Sequence, residues 1–150
     1  MANPRSGRLL APGWLVALCA AVLAVSVWLP WVTTSADGGG RANAVGGTVG
    51  SVPAGSGFGA GQLIVLLTST LLVAGAMTAR GFSPRGAAGA AVAISVLIAA
   101  LTVAFYRMHV VAPVVAAYGL YIGAGAAAAA LACSVWALVD TLIKVRRAAR

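Results

Sequence analysis

Four long apolar runs, separated by three polar interruptions, constrain this 150-residue chain more than any other feature. A helix that crosses the hydrocarbon layer needs about 20 mainly apolar residues at about 1.5 Å rise each. The runs lie at about 9–32, 61–79, 86–106 and 113–143. None carries a periodic polar face through its middle, as a helix of a soluble bundle would. Open β-structure within lipid would leave backbone groups unpaired. The expected fold is therefore all-α: one integral membrane domain over residues 1–150, built as a four-helix transmembrane bundle. A Gly-rich extracytoplasmic loop at 33–60 joins its first two helices.

Composition supports this reading. The chain is 61% hydrophobic and only 8% charged, too few polar residues to cover a soluble surface. Arg5, Arg8, Arg80, Arg85, Lys144, Arg146, Arg147 and Arg150 all fall on one side if the helices alternate. The other side holds Arg41 and Arg107, with Asp37 as a counter-charge. The positive-inside rule then puts both termini in the cytoplasm, in a multi-pass inner (cell) membrane protein. The net charge of +8 is chiefly this topology signal, and the basic tail from Lys144 suits anionic lipid headgroups. Nucleic acid is not an expected partner, because the cations form no folded patch or reading element.

Aromatic residues repeat the pattern. Trp14 and Trp136 are expected near the inner surface, and Trp28, Trp31, Phe105, Tyr106, Tyr118 and Tyr121 near the outer one. Trp14 to Trp31 is 17 steps, roughly 25 Å of helix, close to the hydrocarbon thickness of about 30 Å. Trp14, Trp28, Trp31 and Trp136 are thus the expected interface anchors. An N-terminal signal peptide is the competing reading of the first run. That run exceeds the usual 7–15 residues, and bulky Trp28-Leu29-Pro30-Trp31 precede the weak Thr34-Ser35-Ala36 cleavage site. A retained helix is the better expectation.

The interruptions differ in kind. Residues 33–60 contain nine glycines and read as a flexible loop, with Val45-Gly46-Gly47-Thr48-Val49 as a candidate short hairpin. The run Gly55-Ser56-Gly57-Phe58-Gly59-Ala60-Gly61 superficially resembles a phosphate loop. It lacks the Lys-Ser/Thr that would follow, so a hinge is expected instead. Arg80 to Arg85 is a tight turn with Pro84, and Pro113 suits the first turn of the last helix.

Chemistry-bearing residues are few: Asp37, Asp140 and His109 are the only acids and the only histidine. A lone histidine neither brackets a haem nor completes a zinc site. Cys19 and Cys133, with no Cys-x-x-Cys, are expected to be packing residues. Asp140 stands four residues before Lys144 and suits a local ion pair. Four-helix exporters of the small multidrug-resistance type depend on a glutamate in the first helix, where this chain has no acid. No catalytic residue, cofactor or metal is expected. The one place where charges could converge outside is an edge formed by Asp37, Arg41, Arg107 and His109. Thr68, Ser69 and Thr70, with Ser95 and Thr102, read as hydroxyl packing contacts. Gly119 and Gly123, and Gly86, Gly89, Ala90 and Ala93, present small residues for close helix packing.

One lysine against nine arginines, the Trp28-Leu29-Pro30-Trp31 segment, the Gly-rich loop and Tyr118-Gly119-Leu120-Tyr121 together resemble small four-span actinobacterial membrane proteins of unassigned function. That resemblance implies an architecture and carries over no ligand or catalytic residue. The functional expectation is a non-enzymatic accessory or scaffolding component of a cell-envelope or transport assembly, in contact with other membrane proteins or itself. The alternative is a small oligomeric transporter or channel.

Overall fold

The computed structural model describes residues 11–52 and 59–148. Arg5, Arg8 and Arg150, Pro53, the start of the glycine-rich hinge and the first residues of the first apolar run lie outside them. Four helices lie among the described residues: α1 Pro12–Ser26, α2 Ala60–Arg80, α3 Pro84–His109 and α4 Tyr118–Ala148. Each packs against its neighbours in a closed ring, α1 on α2, α2 on α3, α3 on α4 and α4 back on α1. Four short strands, β1 Pro30–Thr34, β2 Gly40–Asn43, β3 Thr48–Gly50 and β4 Val114–Ala116, form an antiparallel sheet of order β3-β2-β1-β4.

The sheet corrects the all-α expectation, and Pro30 explains where it begins. Proline inside a helix has no N–H to give and clashes with the carbonyl four residues earlier, here that of Ser26. It also pushes the preceding residue, Leu29, toward extended backbone. The first helix therefore stops at Ser26, residues 27–29 form a turn, and Pro30 to Val32, expected to be helical, belong to β1. The Ser26 carbonyl is not left bare, because the Trp31 indole Nε1 donates to it at 2.8 Å.

This shortening changes the membrane reading. α2, α3 and α4 are long and apolar enough to cross a membrane, so the chain has the helices of a membrane protein. α1 has only 15 residues, about 22 Å of helix, and falls short of the hydrocarbon thickness of about 30 Å. Among the described residues, four full-length spans are thus corrected to three, plus a shorter apolar helix.

The expected loop at 33–60 is largely built. A short 3-10 turn, Ala36–Gly38, links β1 to β2, and β2 returns as β3. The hairpin foreseen around Val45–Val49 is present, its turn closed by Asn43 Oδ1, which accepts from the Gly47 N–H at 2.7 Å. Gly46 sits there at φ 103, which suits a residue without a Cβ. Backbone also anchors the hairpin to the bundle, since the Ala44 N–H donates to the Val27 carbonyl at 3.2 Å.

The last helix begins later than expected. Pro113 precedes β4 instead of opening a helix, and α4 starts at Tyr118. β4 is drawn into extended structure by pairing with β1, and the Ala117 N–H donates to the Trp31 carbonyl at 2.8 Å. At the opposite end, α2 terminates at left-handed Gly81. The Gly81 N–H reaches Thr78 at 3.2 Å and the Phe82 N–H reaches Met77 at 3.0 Å, the double closure of a Schellman motif.

The core runs along the bundle axis and up under the sheet, through Val16, Leu23, Ile64, Leu71, Ile98 and Trp31. The buried polar side chains among the described residues are all hydroxyls. Ser26, Thr68, Thr102 and Thr141 donate back to carbonyls of their own helices, and Ser95 meets Ser134 across α3 and α4 at 3.1 Å. Each closes a hydrogen bond that lipid or core could not supply.

Candidate functional site

The sheet end of the bundle holds the most elaborate surface. Side chains alternate faces along a strand, so the register assigns each one a side. Val32 and Ala42 pair across β1 and β2 and are buried, which makes theirs the face toward the helices. The adjacent row crosses all four strands in register as Val49, Arg41, Thr33 and Val115. It faces outward, with Val49 62% and Val115 57% exposed. The exposed sheet face thus carries a valine at each end with Arg41 and Thr33 between them.

Below this sheet lies an aromatic stack. Trp31 is fully buried and meets Phe105 edge to face, with ring centroids 5.0 Å apart at 87°. Phe105 in turn stacks on His109 at 4.2 Å and 16°, and His109 Nδ1 lies 3.1 Å from the Phe105 carbonyl. Trp31 is therefore corrected from an interface anchor to the central side chain of the sheet–helix junction. Trp14, Trp28 and Trp136 remain on the surface.

Gly119 and Gly123 on α4 admit this junction. A Cβ on Gly119 would lie 2.5 Å from the Pro30 carbonyl oxygen, and one on Gly123 would lie 2.8 Å from Trp31 Cζ2. The other small residues face differently. Gly86 and Ala93 are exposed, and a Cβ on Gly89 would meet nothing within 4 Å. Gly86 instead borders an open apolar groove of about 560 Å³ between α2 and α3, with Leu66, Val73, Met77, Ala90 and Ile94. A close approach that sequence reasoning missed occurs between α1 and α2: a Cβ on Gly13 would lie 2.5 Å from the Ala79 backbone nitrogen. Its signal was present in Gly13 and Gly75, one on each helix, but their helices' relative register is a tertiary fact.

The expected charged edge is dispersed. Asp37 occupies the 3-10 turn in left-handed conformation at φ 47, and Arg41 lies on the outward row of β2. Arg107 and His109 lie at the end of α3. No ion pair joins any of the four among the described residues, where the one salt bridge is Asp140 to Lys144 at 2.6 Å. That pair borders a cleft of about 410 Å³ at the end opposite the sheet, shared with Pro12, Arg80 and Thr141. Cys19 and Cys133 are free thiols packed against the core.

A smaller cleft, of about 210 Å³, opens between Trp28 and the β2–β3 hairpin, lined by Pro30, Arg41, Asn43, Thr48 and Val49. Among the described residues no group of three or more His, Cys, Asp or Glu side chains gathers as a metal site would require. Comparison with protein-family models, curated proteins and solved structures gives no match, so the geometry alone carries the functional reading.

Proposed function

We propose that this is a non-enzymatic membrane protein that works by contact, as an accessory or scaffolding component of an envelope or transport assembly. The observation that carries the reading is the outward row Val49–Arg41–Thr33–Val115, an ordered, partly apolar face held at the end of apolar helices. Forming the sheet orders a segment with many glycines, which costs conformational entropy. The rigid face that results lowers the further ordering cost of binding a partner. The interior supports contact over transport, because its buried polar side chains are hydroxyls engaged in local or helix–helix bonds.

In this proposal both termini are cytoplasmic and the sheet is extracytoplasmic. The placement of Arg80, Arg85, Lys144, Arg146 and Arg147 at the end away from the sheet supports that orientation. The test is purification in mild detergent with mass spectrometry of co-isolated proteins, run beside Val49→Asp and Val115→Asp. A partner retained by the natural chain and lost from both variants is the expected result. A partner-free monomer, or a partner indifferent to both substitutions, would overturn the reading.

A further inference from the structure

The cleft beside Trp28 joins three features that belong to one kind of ligand. Arg41 supplies a guanidinium with no carboxylate paired to it among the described residues. Its planar fork of donors matches the oxygens of a phosphate group. Asn43 adds a donor: its Oδ1 is occupied by the Gly47 N–H, which leaves the amide NH2 to serve a ligand. Trp28, 69% exposed at the boundary between α1 and the sheet, is the amphipathic ring that membrane interfaces select.

The third feature is on α1 itself. Leu18, Val22 and Val25 follow one another at helical spacing on α1, and all are exposed. They form an apolar stripe that climbs the helix toward Trp28. Polar donors and an interfacial ring in one cleft, with an apolar stripe on the helix that leads to it, match the kinds of group a phospholipid presents. The cleft, of about 210 Å³, is smaller than the pockets of about 300–1,000 Å³ that hold whole small molecules, so it would take only part of a ligand.

We propose that the Trp28–Arg41 cleft binds the phosphodiester headgroup of an anionic phospholipid in the leaflet at the sheet end, with an acyl chain along Leu18, Val22 and Val25. A single uncompensated cation favours a headgroup of net negative charge over a zwitterionic one, whose amine would add a positive charge beside Arg41. The lipid would extend the short helix α1 upward, covering apolar surface between its last turn and the hairpin. The cleft shares Arg41 and Val49 with the outward row, so a protein partner there would compete with lipid, and the test is made with the purified chain and no partner.

The test uses the full chain in phosphatidylcholine vesicles that contain a minor fraction of lipid with brominated chains, which quench nearby tryptophan. Brominated phosphatidylglycerol should quench more strongly than brominated phosphatidylcholine at equal fraction, by about twofold in the Trp28 component, as expected for enrichment by one charge-assisted contact. Trp28→Phe should abolish the excess and identify the reporting ring. Arg41→Gln should also abolish it, while Arg107→Gln, at another exposed cation of the same end, should leave it intact. Circular dichroism melts should show that Arg41→Gln keeps the fold, since its side chain is exposed. Equal quenching by the two lipids, or an excess that survives Arg41→Gln, would overturn the proposal.

Discussion

The two ends of this bundle solve the same problem differently. At the sheet end, chain leaving α1 and chain entering α4 are tied together by β1 and β4 over a buried Trp31. At the opposite end, α2 and α3 are joined by a turn of a few residues, and an exposed Asp140–Lys144 pair borders an open cleft. One end is a second layer of structure with its own core; among the described residues, the other is made of helix termini and one short turn. Stability should therefore be concentrated at the sheet end, and charge should matter more for orientation than for folding at the other.

The sharpest way to break that contrast is Trp31→Ala, which empties the junction of its largest side chain. A loss of about 3–5 kcal/mol is expected, read as a shift in unfolding by a strong detergent titrated into mild micelles. Trp28→Ala, a surface ring of the same type, should change stability by under about 0.5 kcal/mol. If the two substitutions cost the same, the sheet end has no core of its own.

Next in size are the glycines. Gly123→Val would force side-chain atoms into the Trp31 ring and should cost about 1–3 kcal/mol in the same assay. Gly89→Ala enters open space and should leave the unfolding midpoint within about 0.5 kcal/mol of the natural chain. Between the ends, Ser95 and Ser134 offer a double-mutant cycle with alanine, where a coupling of about 0.6 kcal/mol is expected. The smallest effect belongs to the end away from the sheet. Lys144→Ala breaks a solvent-exposed pair and should cost no more than about 0.5 kcal/mol, falling further at high salt. A cost above 2 kcal/mol there would make the pair a structural clasp and erase the contrast between the ends.

Particular residues show how far the sequence could be read. The Asp140–Lys144 pair follows from helical spacing, a local relation, and it is present at 2.6 Å. The turn at Arg80 to Arg85 follows from Gly81 and Pro84, whose backbone preferences act within a few residues. Trp31 was misplaced because hydropathy and aromatic spacing treat an indole at a helix end as interfacial. Pro30 already signalled the break, but only tertiary pairing with β4 makes extended backbone there more favourable than a loop. The charged edge failed for a related reason: Asp37 and Arg107 share an end of the molecule, and an end is wide enough to keep them apart.

Sequence alone determined what depends on composition and near neighbours: long apolar helices, the asymmetry of cations between the two ends, and the tight turn linking α2 to α3. Those properties come from transfer of side chains out of water and from local backbone preference, and both act without a folded partner. The tertiary structure decided the rest. It alone could show that the end of the first apolar run and the glycine-rich loop together become three strands of a sheet, because a fourth strand, its Val114 paired with Thr34 80 residues before it, supplies the missing hydrogen bonds and Trp31 supplies the core beneath. Strand pairing draws its stability from such distant partners, and no window of sequence contains both.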